Sequence, residues 1–111
     1  MIKGLLGATI WSEDLNKLLP FYRDTLGLPV ALQVPGFVVL GEPGAPALAL
    51  GTHSAVHGRN ADPARHMVGL TTNDITADWK RLKDAGVEFV EDPTDYGNLT
   101  IATLKDPEGA A

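Results

Sequence analysis

Two stretches of this 111-residue chain follow one pattern, and that repetition limits the fold more than any other feature. Residues 6–11 (LGATIW) form a short β-branched and aromatic run. Asp14 follows, then apolar residues at Leu15, Leu18, Leu19, Tyr22 and Leu26, and then Gly27. Spacings of i, i+3, i+4, i+7 and i+11 place those five on one helical face. Asp14 suits the N-cap, where a carboxylate accepts from free backbone N–H groups, and Gly27 suits the left-handed position that ends a helix. Pro20 lies beyond the first turn, so it removes a backbone bond and should bend or loosen the helix there. Sixty residues after Asp14 the pattern returns. Residues 67–72 (MVGLTT) read as a strand, Asp74 as the cap, Ile75, Trp79 and Leu82 as the buried face, and Gly86 as the terminator. A fixed period of this kind marks duplication of one supersecondary unit.

After each helix come strand-like runs. In the first half they are residues 29–34, 37–40 and 47–52, separated by the turn sequences Pro35-Gly36 and Gly41-Glu42-Pro43-Gly44. In the second half they are residues 87–91 and 99–104, with residues 92–98 as a loop. The expected fold is therefore α+β: two βαβββ modules in one domain over residues 1–111, the second lacking its last strand. Module one covers 1–53, a Gly-, Asn- and Pro-containing linker covers 54–65, and module two covers 66–111. Neither half buries enough surface to stand alone.

Composition excludes several classes of function. There is no cysteine, hence no disulfide scaffold, thiolate zinc site or thiol catalysis. Fourteen acidic against nine basic side chains give a net charge of −5, which argues against a nucleic-acid partner. If the charge steers anything, it favours a cationic ligand. No run approaches the roughly 18 to 20 apolar residues of a membrane span, and residues 1–11 show no signal-peptide cleavage pattern, so a soluble cytoplasmic protein is expected. Motifs for a nucleophile elbow, a phosphate loop or a dinucleotide fold are absent from the sequence, and no catalytic residue is assigned.

The residues around the repeated helices resemble the vicinal oxygen chelate superfamily, which holds glyoxalase I, bleomycin-resistance proteins, extradiol dioxygenases, methylmalonyl-CoA epimerase and fosfomycin-resistance enzymes. The resemblance lies in Asp14-Leu15 with Phe21-Tyr22-Arg23-Asp24-Thr25-Leu26-Gly27-Leu28. It continues in Asp74-Ile75, in Leu82-Lys83-Asp84-Ala85-Gly86-Val87, and in Asp106-Pro107-Glu108-Gly109. It implies curved mixed sheets around a cavity, usually in a homodimer. It also implies, in metal-dependent members, a divalent ion held by His or Gln on the first strand of each module and by Glu on the last. The matching positions here are Gly7, Met67 and Ala49, with the fourth falling after Ala111. Gly7 and Ala49 carry no donor, and a thioether suits soft metals. No metal cofactor is therefore expected. The alternative is one divalent ion at a displaced site recruiting His53 or His66, in a lyase, isomerase or dioxygenase.

If Gly7 faces the cavity, strand alternation turns Thr9 and Trp11 the same way and packs Leu6, Ala8 and Ile10 on the helix. Met67, Gly69 and Thr71 form the matching set in module two. Trp11 offers a stacking surface for an aromatic or cationic small molecule, or else it fills the barrel or a subunit interface. Phe37 is a second candidate wall residue, its face left open. Tyr96 is either a lid or a rim residue. Trp79 reads as core. His53 shares strand parity with Ala49 and either faces the cavity mouth or, like His57, is a solvated linker residue. The ligand-contact set is thus Trp11, Thr9, Phe37, Met67, Thr71 and Tyr96, in a small-molecule binding protein.

Overall fold

The computed structural model describes residue 3 and residues 5–63, 65–97 and 99–110. Asn98, the end of the loop read from the sequence, and Ala111 lie outside the described residues. The chain divides into two compact units, the first ending at Gly58 and the second beginning at Arg59, a division inside the 54–65 segment.

The first unit is a complete βαβββ module. Strand β1 (Gly7–Ser12) leads to helix α1 (Leu15–Pro20), and three strands follow: β2 (Val30–Val34), β3 (Phe37–Leu40) and β4 (Ala47–Thr52). They form one mixed sheet in the order β1-β4-β3-β2. β1 runs parallel to β4, and the other two pairs are antiparallel. Register assigns the faces. Ala8, Ile10, Leu48, Leu50, Val38 and Leu40 are ladder partners and share one side. Leu40 and Leu50 there are fully buried, as is Leu18 of α1, which packs on β4. This is the core of the unit. Two residues depart from the expected packing on the helix: Leu6 lies before β1 and is 93% exposed, its carbonyl accepting from the Ala47 N–H, and Ala8, on the core side of the edge strand, is exposed.

Pro20 does loosen the helix. The α-helical turns stop there and a π-helical segment, Phe21–Thr25, continues the chain, with the Leu26 N–H reaching the Phe21 carbonyl at 2.8 Å. Proline has no N–H to close an ordinary turn, and the wider turn buries both Phe21 and Tyr22, whose rings meet edge to face at 5.1 Å. Gly27 and Gly86 both take positive φ, 79° and 90°, the conformation in which a Cβ is strained.

Helix α2 (Ile75–Asp84) opens the second unit's regular structure, followed by the hairpin of β5 (Phe89–Asp95) and β6 (Thr100–Leu104). Two expectations are corrected here. Residues 67–72 form no strand. In the first unit the corresponding strand is held by a parallel partner, β4, and the described residues of the second unit contain no third strand to play that part. A β-branched run without a ladder leaves its backbone groups to water. The loop of 92–98 is also shorter than expected. β5 continues through Pro93 to Asp95, because register shifts on either side of Glu91 take the proline out of the hydrogen-bonded pattern.

The two helix starts share a detail beyond the aspartate cap. Ser12 Oγ accepts from the Asp14 N–H at 2.9 Å, and Asp14 in turn accepts from Asn16. Thr72 Oγ1 accepts from the Asp74 N–H at 3.1 Å, and Asp74 accepts from Ala77. A hydroxyl two residues before each capping carboxylate thus sets the angle at which the chain enters the helix. Urea unfolding checks the weight of these parts. Leu50→Ala should cost about 2 to 5 kcal/mol through the cavity it leaves, against about 1 kcal/mol for Asp14→Ala. Equal losses would mean that β4 does not carry the core.

Candidate functional site

The face of the first sheet opposite α1 is covered by no other element of its unit. Ladder pairing arranges its side chains in two rows across the four strands: Trp11, Gly51, Phe37 and Val34, then Thr9, Ala49, Val39 and Leu32. Trp11 is 43% exposed, and Leu32 and Val34 are also exposed. Gly51 lies under the first row. A Cβ there would stand 2.5 Å from Trp11 Cζ3 and 3.0 Å from Phe37 Cδ1, so the glycine lets the indole lie across the sheet beside the phenyl ring. The Trp11 and Phe37 ring centroids are 6.2 Å apart and tilted by 43°. His53, the first residue after β4, closes the cluster edge-on, 5.4 Å from Trp11 at 71°.

Three of the six sequence candidates therefore come together. Thr9, Trp11 and Phe37 share this face, and the side of Phe37, left open by the sequence, is settled by its pairing with Gly51. Met67, Thr71 and Tyr96 belong to the second unit. Met67 and Thr71 lie in its irregular stretch, so alternation no longer assigns them a face. Tyr96 follows β5, and its hydroxyl donates to Glu91 Oε2 at 2.7 Å, a bond that holds the phenol above its ordinary pKa. Trp79 is half-buried on α2 rather than core. Its indole N–H donates to Asp92 at 3.0 Å, and Lys83 Nζ lies 4.8 Å from its ring.

One residue of the cluster was missed in the sequence: a glycine inside a strand signals close approach, which Gly51 shows. The sequence leaves His53 between a cavity-mouth residue and a linker residue, since it has the strand parity of Ala49 but sits among residues that read as connector. His57 lies 3.6 Å from Glu13, and His66 is exposed outside any strand. A divalent ion of the kind the family resemblance implies does not fit the matching positions. Gly7 packs against the Ala47 backbone with no room for a side chain, Ala49 has no donor, and Met67 supplies only sulfur. Among the described residues, no three His, Asp or Glu side chains gather to hold a metal.

A separate open groove of about 590 Å³ runs between α1 and the β2–β3 turn, bordered by Leu15, Leu19, Arg23, Gln33 and Pro35. Arg23 there donates to both carboxylate oxygens of Asp24 at 2.8 and 2.9 Å, which holds that carboxyl below its ordinary pKa and neutralises the cation. No candidate contact residue lines this groove.

The chain matches a family model, the Glyoxalase/Bleomycin resistance protein/Dioxygenase superfamily, over residues 4–111. The chain belongs to that superfamily. Solved structures similar to this superfamily member include the hypothetical protein SA1046 from S. aureus, 23% identical with a TM-score of 0.73, covering 99% of this chain and 90% of that one. UcmS2 is 24% identical with a TM-score of 0.75, covering 99% and 95%. The trypanothione-dependent glyoxalase I of Leishmania major is 24% identical with a TM-score of 0.75, covering 98% and 83%. Likeness at these identities concerns the fold.

The packing at Gly51 can be tested directly. The chain has two tryptophans, so Trp79→Phe leaves Trp11 as the sole indole, excited selectively at wavelengths tyrosine does not absorb. In that background Gly51→Ala should lift the indole and shift its emission to the red by several nanometres, with far-ultraviolet circular dichroism unchanged. An unmoved spectrum would mean that the ring does not rest on Gly51.

Proposed function

We propose that this superfamily member is a small-molecule binding protein that holds an aromatic or cationic compound on the helix-free face of the first sheet, without a metal ion. One observation carries the proposal: Trp11 and Phe37 meet over a glycine, with His53 against the indole, on a sheet face that its own unit leaves open. The half-exposed indole supports offset stacking or a cation over its ring, contacts worth about 0.5 to 2 kcal/mol beyond the area they bury. Thr9, in the adjoining row, supplies a hydroxyl that can donate or accept. Met67, Thr71 and Tyr96, each exposed in the second unit, enter the proposal as further contacts.

The proposal includes a homodimer in the cytoplasm, the assembly that the family resemblance implies, with neither nucleic acid nor membrane as partner. Among the described residues, no helix is long and apolar enough to cross a membrane. The acidic balance of the chain suits an uncharged or cationic guest more than a polyanion.

Titration of a panel of planar aromatic compounds against Trp11 emission tests the site. Binding should be saturable, and Trp11→Ala should weaken it by about tenfold while the fold is kept. Metal analysis of the same preparation should find far less than one equivalent. Stoichiometric nickel, zinc, iron or manganese would overturn the metal-free part, and binding untouched by Trp11→Ala would move the site elsewhere.

A further inference from the structure

We infer that the guest is an aromatic compound carrying a hydrogen-bond acceptor on its rim, such as a carbonyl or carboxylate oxygen, gripped by the ring N–H groups of Trp11 and His53. The inference rests on the binding function proposed above and narrows its ligand class. His53 Nδ1 accepts from the Ala55 backbone N–H at 3.0 Å. A ring nitrogen that accepts carries no proton, so in the neutral imidazole the hydrogen is on Nε2, which is then a donor. No group among the described residues accepts from it. Trp11 turns the Cε3–Cζ3 edge of its indole toward Gly51. The N–H is on the opposite edge of the ring system, and it too has no acceptor among the described residues. The indole of Trp79 shows the contrast, its N–H taken by the Asp92 carboxylate.

Water satisfies both donors while the face is open. Both N–H groups lie in their ring planes, so a flat guest that reaches past the ring edges displaces that water, and a guest without an acceptor strands donors that it has covered, at a cost a matching oxygen avoids. The remaining side chains of the two rows, Thr9, Phe37, Val39, Ala49, Leu32 and Val34, include no carboxylate. A cationic guest would therefore gain the indole face but bring its own N–H donors against two others. The two rings that carry these donors are neighbours, their centroids 5.4 Å apart. Selection for an acceptor runs across the net negative charge of the chain, so local donors rather than the overall field decide it.

Three naphthalenes of one shape separate the possibilities by calorimetric titration of the full chain: 2-acetylnaphthalene, 2-methylnaphthalene and 2-naphthylmethylammonium. The acetyl compound, neutral and acceptor-only, should bind about tenfold tighter than the methyl compound or more. His53→Phe keeps a ring edge against Trp11 and removes the donor. It should cut the acetyl advantage by threefold or more and leave 2-methylnaphthalene unchanged. Tightest binding by the ammonium compound, or equal binding of acetyl and methyl, overturns the acceptor inference and leaves the binding function standing. Uniform weakening of all three by His53→Phe makes the imidazole a packing residue only and overturns its assigned role. If none of the three binds, the binding function fails, and the acceptor inference with it. Comparison of the three probes on the unmodified protein holds whether or not the variant folds.

Discussion

The parallel pairing of β1 with β4 is the constraint on which the first unit depends. It joins the first strand of the module to the last, so α1, β2 and β3 must be accommodated between them in the chain. Once made, it sets the parity of every side chain in both strands. Leu48 and Leu50 face α1 with Ala8 and Ile10, while Ala49 and Gly51 face the other way with Thr9 and Trp11. A register slip of one residue would exchange the two sets, burying Trp11 beneath the helix and exposing the two leucines. The aromatic cluster and the hydrophobic core are thus two consequences of one register.

That division also explains why small residues stand on the open face of β4. Ala49 and Gly51 would contribute little to a core, and in a strand an interior glycine weakens the ladder. Here the loss is offset by the Trp11 and Phe37 rings, which occupy the space a Cβ would take. At the positions where the family resemblance implies metal donors in metal-dependent members, this chain has Gly7 and Ala49, and the face beside them carries the Trp11 and Phe37 rings. The chemistry available on such a surface is stacking and hydrogen bonding by N–H and hydroxyl groups.

The second unit shows what happens when the same grammar lacks the same partner. Its cap, helix and terminating glycine match those of the first unit, down to the hydroxyl two residues before the aspartate. Residues 67–72 match β1 in character and yet form no strand among the described residues. Helix signals are local: a carboxylate, an apolar face and a glycine act within a few residues of one another, and all were legible in both halves. Strand formation requires a neighbour, which for β1 is forty residues away, and no local composition reveals whether the neighbour is there.

The amino-acid order by itself determined the α+β class, the duplicated helix with its aspartate caps and left-handed glycines, the break at Pro20, and the absence of donors at Gly7 and Ala49. These follow from short-range sterics, hydrogen bonding and side-chain chemistry. Only the tertiary structure decided that Phe37 shares a face with Trp11, that Gly51 seats their rings, and that His53, left open between cavity mouth and linker, meets the indole edge to face. Those three facts depend on ladder register between strands distant in sequence, where a shift of one residue inverts every side chain. A linear reading contains the alternation but not its phase.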